Sequence, residues 1–72
     1  MKTEIEISGE YIKLDSLLKL AGVTATGGEA KLLIRNGGVN LNGTICTQRG
    51  KKIRPGDIIT VENKTISVSQ EL

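Results

Sequence analysis

Seventy-two residues with 38% apolar side chains, one Tyr and neither Phe nor Trp leave room for one small aliphatic core, which excludes a deep catalytic cleft. With no His and a single Cys, Cys46, the chain lacks a zinc ligand set, a Cys–His nucleophile pair and an internal disulfide, and a lone thiol fits a reducing, cytoplasmic setting. The net charge of +2 hides a segregation: residues 31–54 hold six basic and no acidic side chains, whereas 1–30 and 55–72 are each net acidic.

Thr3 to Ile7 sets Ile5 and Ile7 against Glu4 and Glu6, the period-two alternation of a half-buried strand, and Ser8-Gly9 ends it. The stretch from Met1 to Gly9 lacks the apolar segment of a signal peptide, and no run approaches the roughly 18 residues that cross a bilayer. A soluble chain that stays where it is made, away from membranes, is the expectation. Leu14, Leu17, Leu18 and Ala21 then fall at i, i+3, i+4 and i+7, which predicts a short helix that Gly22 terminates, with Asp15 in its first turn. Thr26-Gly27-Gly28-Glu29 has the form of a capping box, opening a second helix whose apolar stripe is Ala30, Leu33 and Ile34 and which Gly37-Gly38 stops.

Val39 and Leu41 alternate with Asn40, and Asn42-Gly43 supplies two residues tolerant of positive φ for a hairpin turn into Thr44, Ile45 and Cys46. Gln48 to Ile53 reads as a basic loop or irregular strand and Pro55-Gly56-Asp57 as a turn. Ile58 to Val61 is a further strand, and a turn at Asn63-Lys64 lets Thr65 to Val68 return. The order is strand, helix, helix and a β meander, without linker or repeat: one α+β domain over residues 1–72.

Nothing in this inventory suits catalysis. Asp15, Glu29 and Asp57 stand at helix starts and a turn, so they read as caps and turn formers, and Cys46 reads as a small packing residue. No cofactor, metal or small-molecule substrate is expected, and the chain is not expected to be an enzyme. Gly27 and Gly28 precede a helix whose first amides are unpaired, as in a phosphate-cradling turn, but the Gly-Lys-Ser/Thr ending of a nucleotide-binding loop is absent. Either the glycines let the chain bend into the helix or they let a nucleic-acid backbone approach. Lys31 and Arg35, at i and i+4, lie side by side on the second helix, where like charges cost roughly 0.2–0.5 kcal/mol unless an anion joins them. Arg49, Lys51, Lys52 and Arg54 form a second basic group whose natural complement is phosphate. Since Tyr11 is the single aromatic ring, base stacking along an extended strand is disfavoured, and recognition of folded RNA through phosphate, sugar and shape is expected. The competing reading is a small adaptor whose basic face meets an acidic protein.

The run from Ile12 to Val61 resembles the RNA-binding domain first named from small-subunit ribosomal protein four, the S-four-type domain. Carrying the resemblance are Lys13-Leu14-Asp15 with Leu17-Leu18, Thr26-Gly27-Gly28-Glu29-Ala30-Lys31 with Leu33-Ile34, Gly37-Gly38-Val39-Asn40-Leu41-Asn42-Gly43, and Pro55-Gly56-Asp57. The resemblance implies an αL-like RNA-binding fold, with two short helices packed on a small, mostly antiparallel sheet, and RNA held on the helical face and the basic loop. Many members begin the second helix with Ser-Arg; here Thr26 and Gly27 stand in those places, so one customary cation is missing. The Gly-Gly-Glu-Ala-Lys form is similar to the short, stand-alone YaaA/YbcJ-type members of bacterial type. Carried over by the resemblance are Lys13, Lys31, Arg35 and the loop from Arg49 to Arg54. It implies RNA binding as the function in itself, with ribosomal RNA or tRNA as structured targets and a monomer as the expected state.

Overall fold

The computed structural model describes residues 2–72. Strand β1 (Lys2–Ile7) places Lys2, Glu4 and Glu6 in solvent and turns Ile5 and Ile7 inward, as the alternation requires. A two-residue strand β2 (Ile12–Lys13) leads directly into helix α1 (Leu14–Leu20), which is followed by helix α2 (Gly27–Arg35). After them come β3 (Asn40–Leu41), β4 (Thr44–Ile45), β5 (Lys52–Ile53), β6 (Ile58–Val61) and β7 (Lys64–Gln70). Five strands form one sheet in the order β1-β7-β6-β3-β4, while β2 and β5 form a separate antiparallel pair. The two helices pack on this mostly antiparallel mixed sheet, the α+β arrangement expected from the sequence.

Both helices end in the same way, for the same reason. At α1, Gly22 takes a φ of 76° and donates to the carbonyl of Lys19, while Val23 donates to that of Leu18. At α2, Gly37 with a φ of 79° donates to Ile34 and Gly38 to Leu33. These are Schellman motifs, which satisfy the last carbonyls of each helix through a left-handed residue that glycine adopts without strain. Gly38 is tightly enclosed by Leu33: a Cβ there would lie 2.6 Å from Leu33 Cδ1, at the movable end of that side chain, and 3.2 Å from the Leu33 backbone oxygen. At the start of α2, Thr26 Oγ1 accepts from the amide of Glu29 at 3.2 Å, so the donor half of the expected capping box is formed.

Leu14, Leu17 and Leu18 of α1 and Ala30 and Ile34 of α2 join Ile59, Val61, Ile66 and Val68 of the sheet in one buried cluster, with Val39 and Ile53. The expected meander is not the observed topology. β6 pairs with β3, Leu41 opposite Ile59, and leaves β4 at the sheet edge. Burial explains the choice: Ile59 is fully buried beside the half-buried Leu41, whereas Thr44 and Ile45 of β4 are exposed. Between β4 and β6 the chain leaves the sheet and crosses to α1. The last turn also sits one residue earlier than expected. Val61 pairs with Lys64 around Glu62 and Asn63, and Glu62 takes the positive φ of 54°. Finally, β1 runs parallel to β7, Lys2 opposite Thr65 through Ile7 opposite Gln70.

Candidate nucleic-acid interface

Helix α1 begins without a side-chain cap, because its N-cap is Lys13. Its leading amides would therefore be orphaned. The basic loop supplies their acceptors: Leu14 N donates to the Lys51 carbonyl at 2.9 Å and Asp15 N to the Arg49 carbonyl at 3.1 Å. The loop thus spends its backbone on the helix and leaves the side chains of Arg49, Lys51 and Lys52 exposed. Pairing of β2 with β5 sets the register, Ile12 opposite the buried Ile53 and Lys13 opposite Lys52. Like charges directly opposite on antiparallel strands repel. The backbones of Arg49 and Lys51 lie beside this pair, through their carbonyls on α1.

Both ends of the loop are pinned. Asn42, with a φ of 51°, and Gly43, with 88°, form the expected hairpin turn. Asn42 also reaches across to the next turn: its Oδ1 accepts from Ile58 N at 2.9 Å and its Nδ2 donates to Asp57 Oδ1 at 3.1 Å. Asp57 Oδ2 accepts from Arg54 N at 2.8 Å, and Asp57 N donates to the Arg54 carbonyl at 3.0 Å, closing the Pro55-Gly56 turn. The carboxylate of Asp57 is thereby used on amides, and the Arg54 side chain remains exposed. At the other end Cys46 N donates to Val39 O at 2.9 Å, and Lys51 N donates to Gln48 O at 3.1 Å. Cys46 lies just beyond β4, half-buried against the core rather than within a strand.

The second basic group stands on α2. Arg35 is exposed in its last turn and Lys31 is half-buried, and Leu32 between them is 61% exposed. Lys31 and Arg35 thus share α2 with an exposed leucine. Gly27 and Gly28 keep ordinary negative φ; a Cβ on Gly27 would meet nothing within 4 Å and one on Gly28 only Thr26 Oγ1 at 3.8 Å. Bending at the helix start does not demand glycine here. Thus Lys13, Arg49, Lys51 and Lys52 converge at the α1 start, Arg54 follows on the adjoining turn, and Gly27, Gly28, Lys31 and Arg35 form a distinct group on α2 that packs against α1. Among the described residues none of these seven cations is ion-paired with a carboxylate.

Sequence reasoning did not place Tyr11 beside the basic loop. Lys52 Nζ lies 4.9 Å from the centre of the Tyr11 ring, which is 40% exposed. A strand of two residues leaves no periodic signal, so nothing in the sequence brought Tyr11 and Lys13 opposite the loop. Among the described residues, no group of three or more His, Cys, Asp or Glu is placed to hold a metal ion, and no helix is long and apolar enough to cross a membrane.

The fold is a small α+β domain in which the exposed residues Lys13, Arg49, Lys51 and Lys52 lie near the start of α1, with Asp15 in its first turn. The chain belongs to the S4 domain family, whose model matches residues 5–69, and the S4 domain is an RNA-binding domain. Over 62 residues it is 37% identical to the probable ribosome maturation protein RlbA of Bacillus subtilis, covering 86% of this chain and 87% of that protein. Over 56 residues it is 38% identical to a tyrosine–tRNA ligase of Ralstonia nicotianae, where the match covers 78% of this chain but 14% of the enzyme.

Proposed function

We propose that this chain is a non-enzymatic, cytoplasmic, single-domain protein that binds structured RNA, ribosomal RNA or a ribosome-assembly intermediate in particular, and acts as a monomer. The observation that carries this reading is the backbone docking of the basic loop on α1, which sets Lys13 opposite Lys52 and holds Arg49 and Lys51 beside them. Phosphate oxygens are the ligands that relieve such a cluster. Arg54, Lys31 and Arg35 extend the surface, and the open space at Gly27 and Gly28 admits a sugar–phosphate backbone to the α2 start. Ribosomal RNA is favoured over tRNA because the match to the ribosome maturation protein runs through most of both chains, whereas the ligase shares one module.

Crosslinking in cells, followed by sequencing of the attached RNA, tests the reading directly; ribosomal RNA is the expected product. In vitro, contact with about four phosphates gives a log–log salt slope of roughly −3. Failure to bind ribosomal RNA or tRNA at low salt, together with retention of one acidic protein from lysate, would replace this reading by the adaptor.

A further inference from the structure

Beside the cation cluster, a shallow groove of about 260 Å³ follows the sheet-edge strand β4 into the basic loop. Its apolar lining residues are Leu41, Ile45 and Cys46, and its polar ones Thr44, Thr47, Gln48 and Lys51. We propose that this groove takes one unpaired nucleobase of the bound RNA. The proposal rests on the RNA-binding reading above and extends it from phosphate to base.

Three observations point to a base. Size comes first: the groove falls just below the roughly 300–1,000 Å³ of sites for drug-sized ligands, which suits a flat heterocycle. Chemistry comes second. Ile45 is 61% exposed and offers an aliphatic surface to a ring face, while the Gln48 amide presents a donor and an acceptor together, the pattern that pairs with a base edge. No carboxylate lines this groove, so nothing in its lining repels an RNA strand. Position is the third. Lys51 is a lining residue of the groove and its carbonyl accepts from Leu14 N at the start of α1, so one residue joins the groove to the proposed phosphate-binding cations. The segment is also held in shape before any ligand arrives, by Cys46 N on Val39 O at 2.9 Å and Lys51 N on Gln48 O at 3.1 Å.

Cys46 is the chain's single cysteine and a lining residue of the groove, so alkylation of its thiol reports on this site alone. The experiment uses the full chain, an RNA stem with one bulged nucleotide and the same stem fully paired. Thr47→Ala with Gln48→Ala is expected to weaken binding of the bulged stem about 5–10-fold and leave the paired stem unchanged, whereas Lys52→Ala weakens both alike. Saturating bulged RNA is expected to slow alkylation of Cys46 by N-ethylmaleimide several-fold more than saturating paired RNA does. Equal loss on the two RNAs by the Thr47/Gln48 variant, or equal alkylation rates with both RNAs bound, overturns the base pocket and leaves RNA binding standing. Wild-type protein that binds neither stem at low salt overturns the RNA-binding reading itself, and the pocket with it. Circular dichroism of each variant establishes that it is folded before binding is compared.

Discussion

Lys52 extends over the Tyr11 ring, its ammonium 4.9 Å from the ring centre, while the backbone sets the same lysine opposite Lys13. The ring's negative face attracts the ammonium and so offsets part of the repulsion from Lys13, holding a flexible side chain in one place. The chain's one aromatic residue therefore packs against a cation of the basic loop. Tyr11→Leu is expected to weaken RNA binding by about 0.5–1 kcal/mol, the size of an exposed cation–π contact, and Tyr11→Phe to restore it. Fluorescence anisotropy with a labelled ribosomal RNA fragment decides this, and an undiminished affinity for the leucine variant would remove Tyr11 from the site.

The two cation groups can be ranked by variants of equal charge. Lys13→Ala with Lys52→Ala is expected to cost about 1.5–3 kcal/mol of binding, as for charge-assisted contacts, and Lys2→Ala with Lys64→Ala under about 0.5. Lys31→Ala with Arg35→Ala should fall between them, since Lys31 is half-buried. Separating the opposed lysines should also hold or raise the melting temperature, because like charges across strands destabilise. A larger loss from the α2 pair than from Lys13 and Lys52, at matched salt, would move the principal contact to α2.

Glycines provide a test with opposite signs. Replacing Gly27 and Gly28 together with Ala meets no steric obstacle and should stabilise the fold by about 0.5–1 kcal/mol, since alanine restricts the unfolded chain. RNA affinity should nevertheless fall, because two methyl groups then stand where a phosphate backbone approaches. Gly38→Ala should instead lower stability, as its Cβ would collide with Leu33. Thermal melts and binding isotherms measured on the same samples separate the two effects.

Asp57→Ala removes the acceptor for both Arg54 N and Asn42 Nδ2. Loss of this clamp is expected to cost about 0.5–1.5 kcal/mol in urea denaturation, the net worth of a typical hydrogen bond whose partners can reach water. Affinity of the folded variant at low temperature should hold, because the loop keeps its carbonyls on α1. An unchanged urea midpoint would show that water replaces the carboxylate without loss.

Helices and hairpin were legible because each repeats its signal: Leu14, Leu17 and Leu18 at helical spacing, Thr26 with Glu29 at the second start, Asn42-Gly43 between alternating strands. The pairing of β6 with β3 and the parallel match of β1 with β7 were not, since register is set by which apolar faces meet after collapse. For the site, charge segregation exposed the cations but not their grouping. That Lys13 belongs with Lys52 and Tyr11, while Lys31 and Arg35 stand apart, depends on a two-residue strand pair too short to leave a pattern.

The parallel pairing of β1 with β7 also governs how the molecule bears load. Tension applied at Lys2 and Gln70 pulls these neighbouring strands along their length in opposite directions, because the two residues lie at opposite ends of the ladder. Hydrogen bonds loaded in shear share the force and fail together, whereas those of the β6–β7 hairpin, pulled apart at the open end, would fail one after another. Through this one ladder the sheet resists being drawn out by its ends.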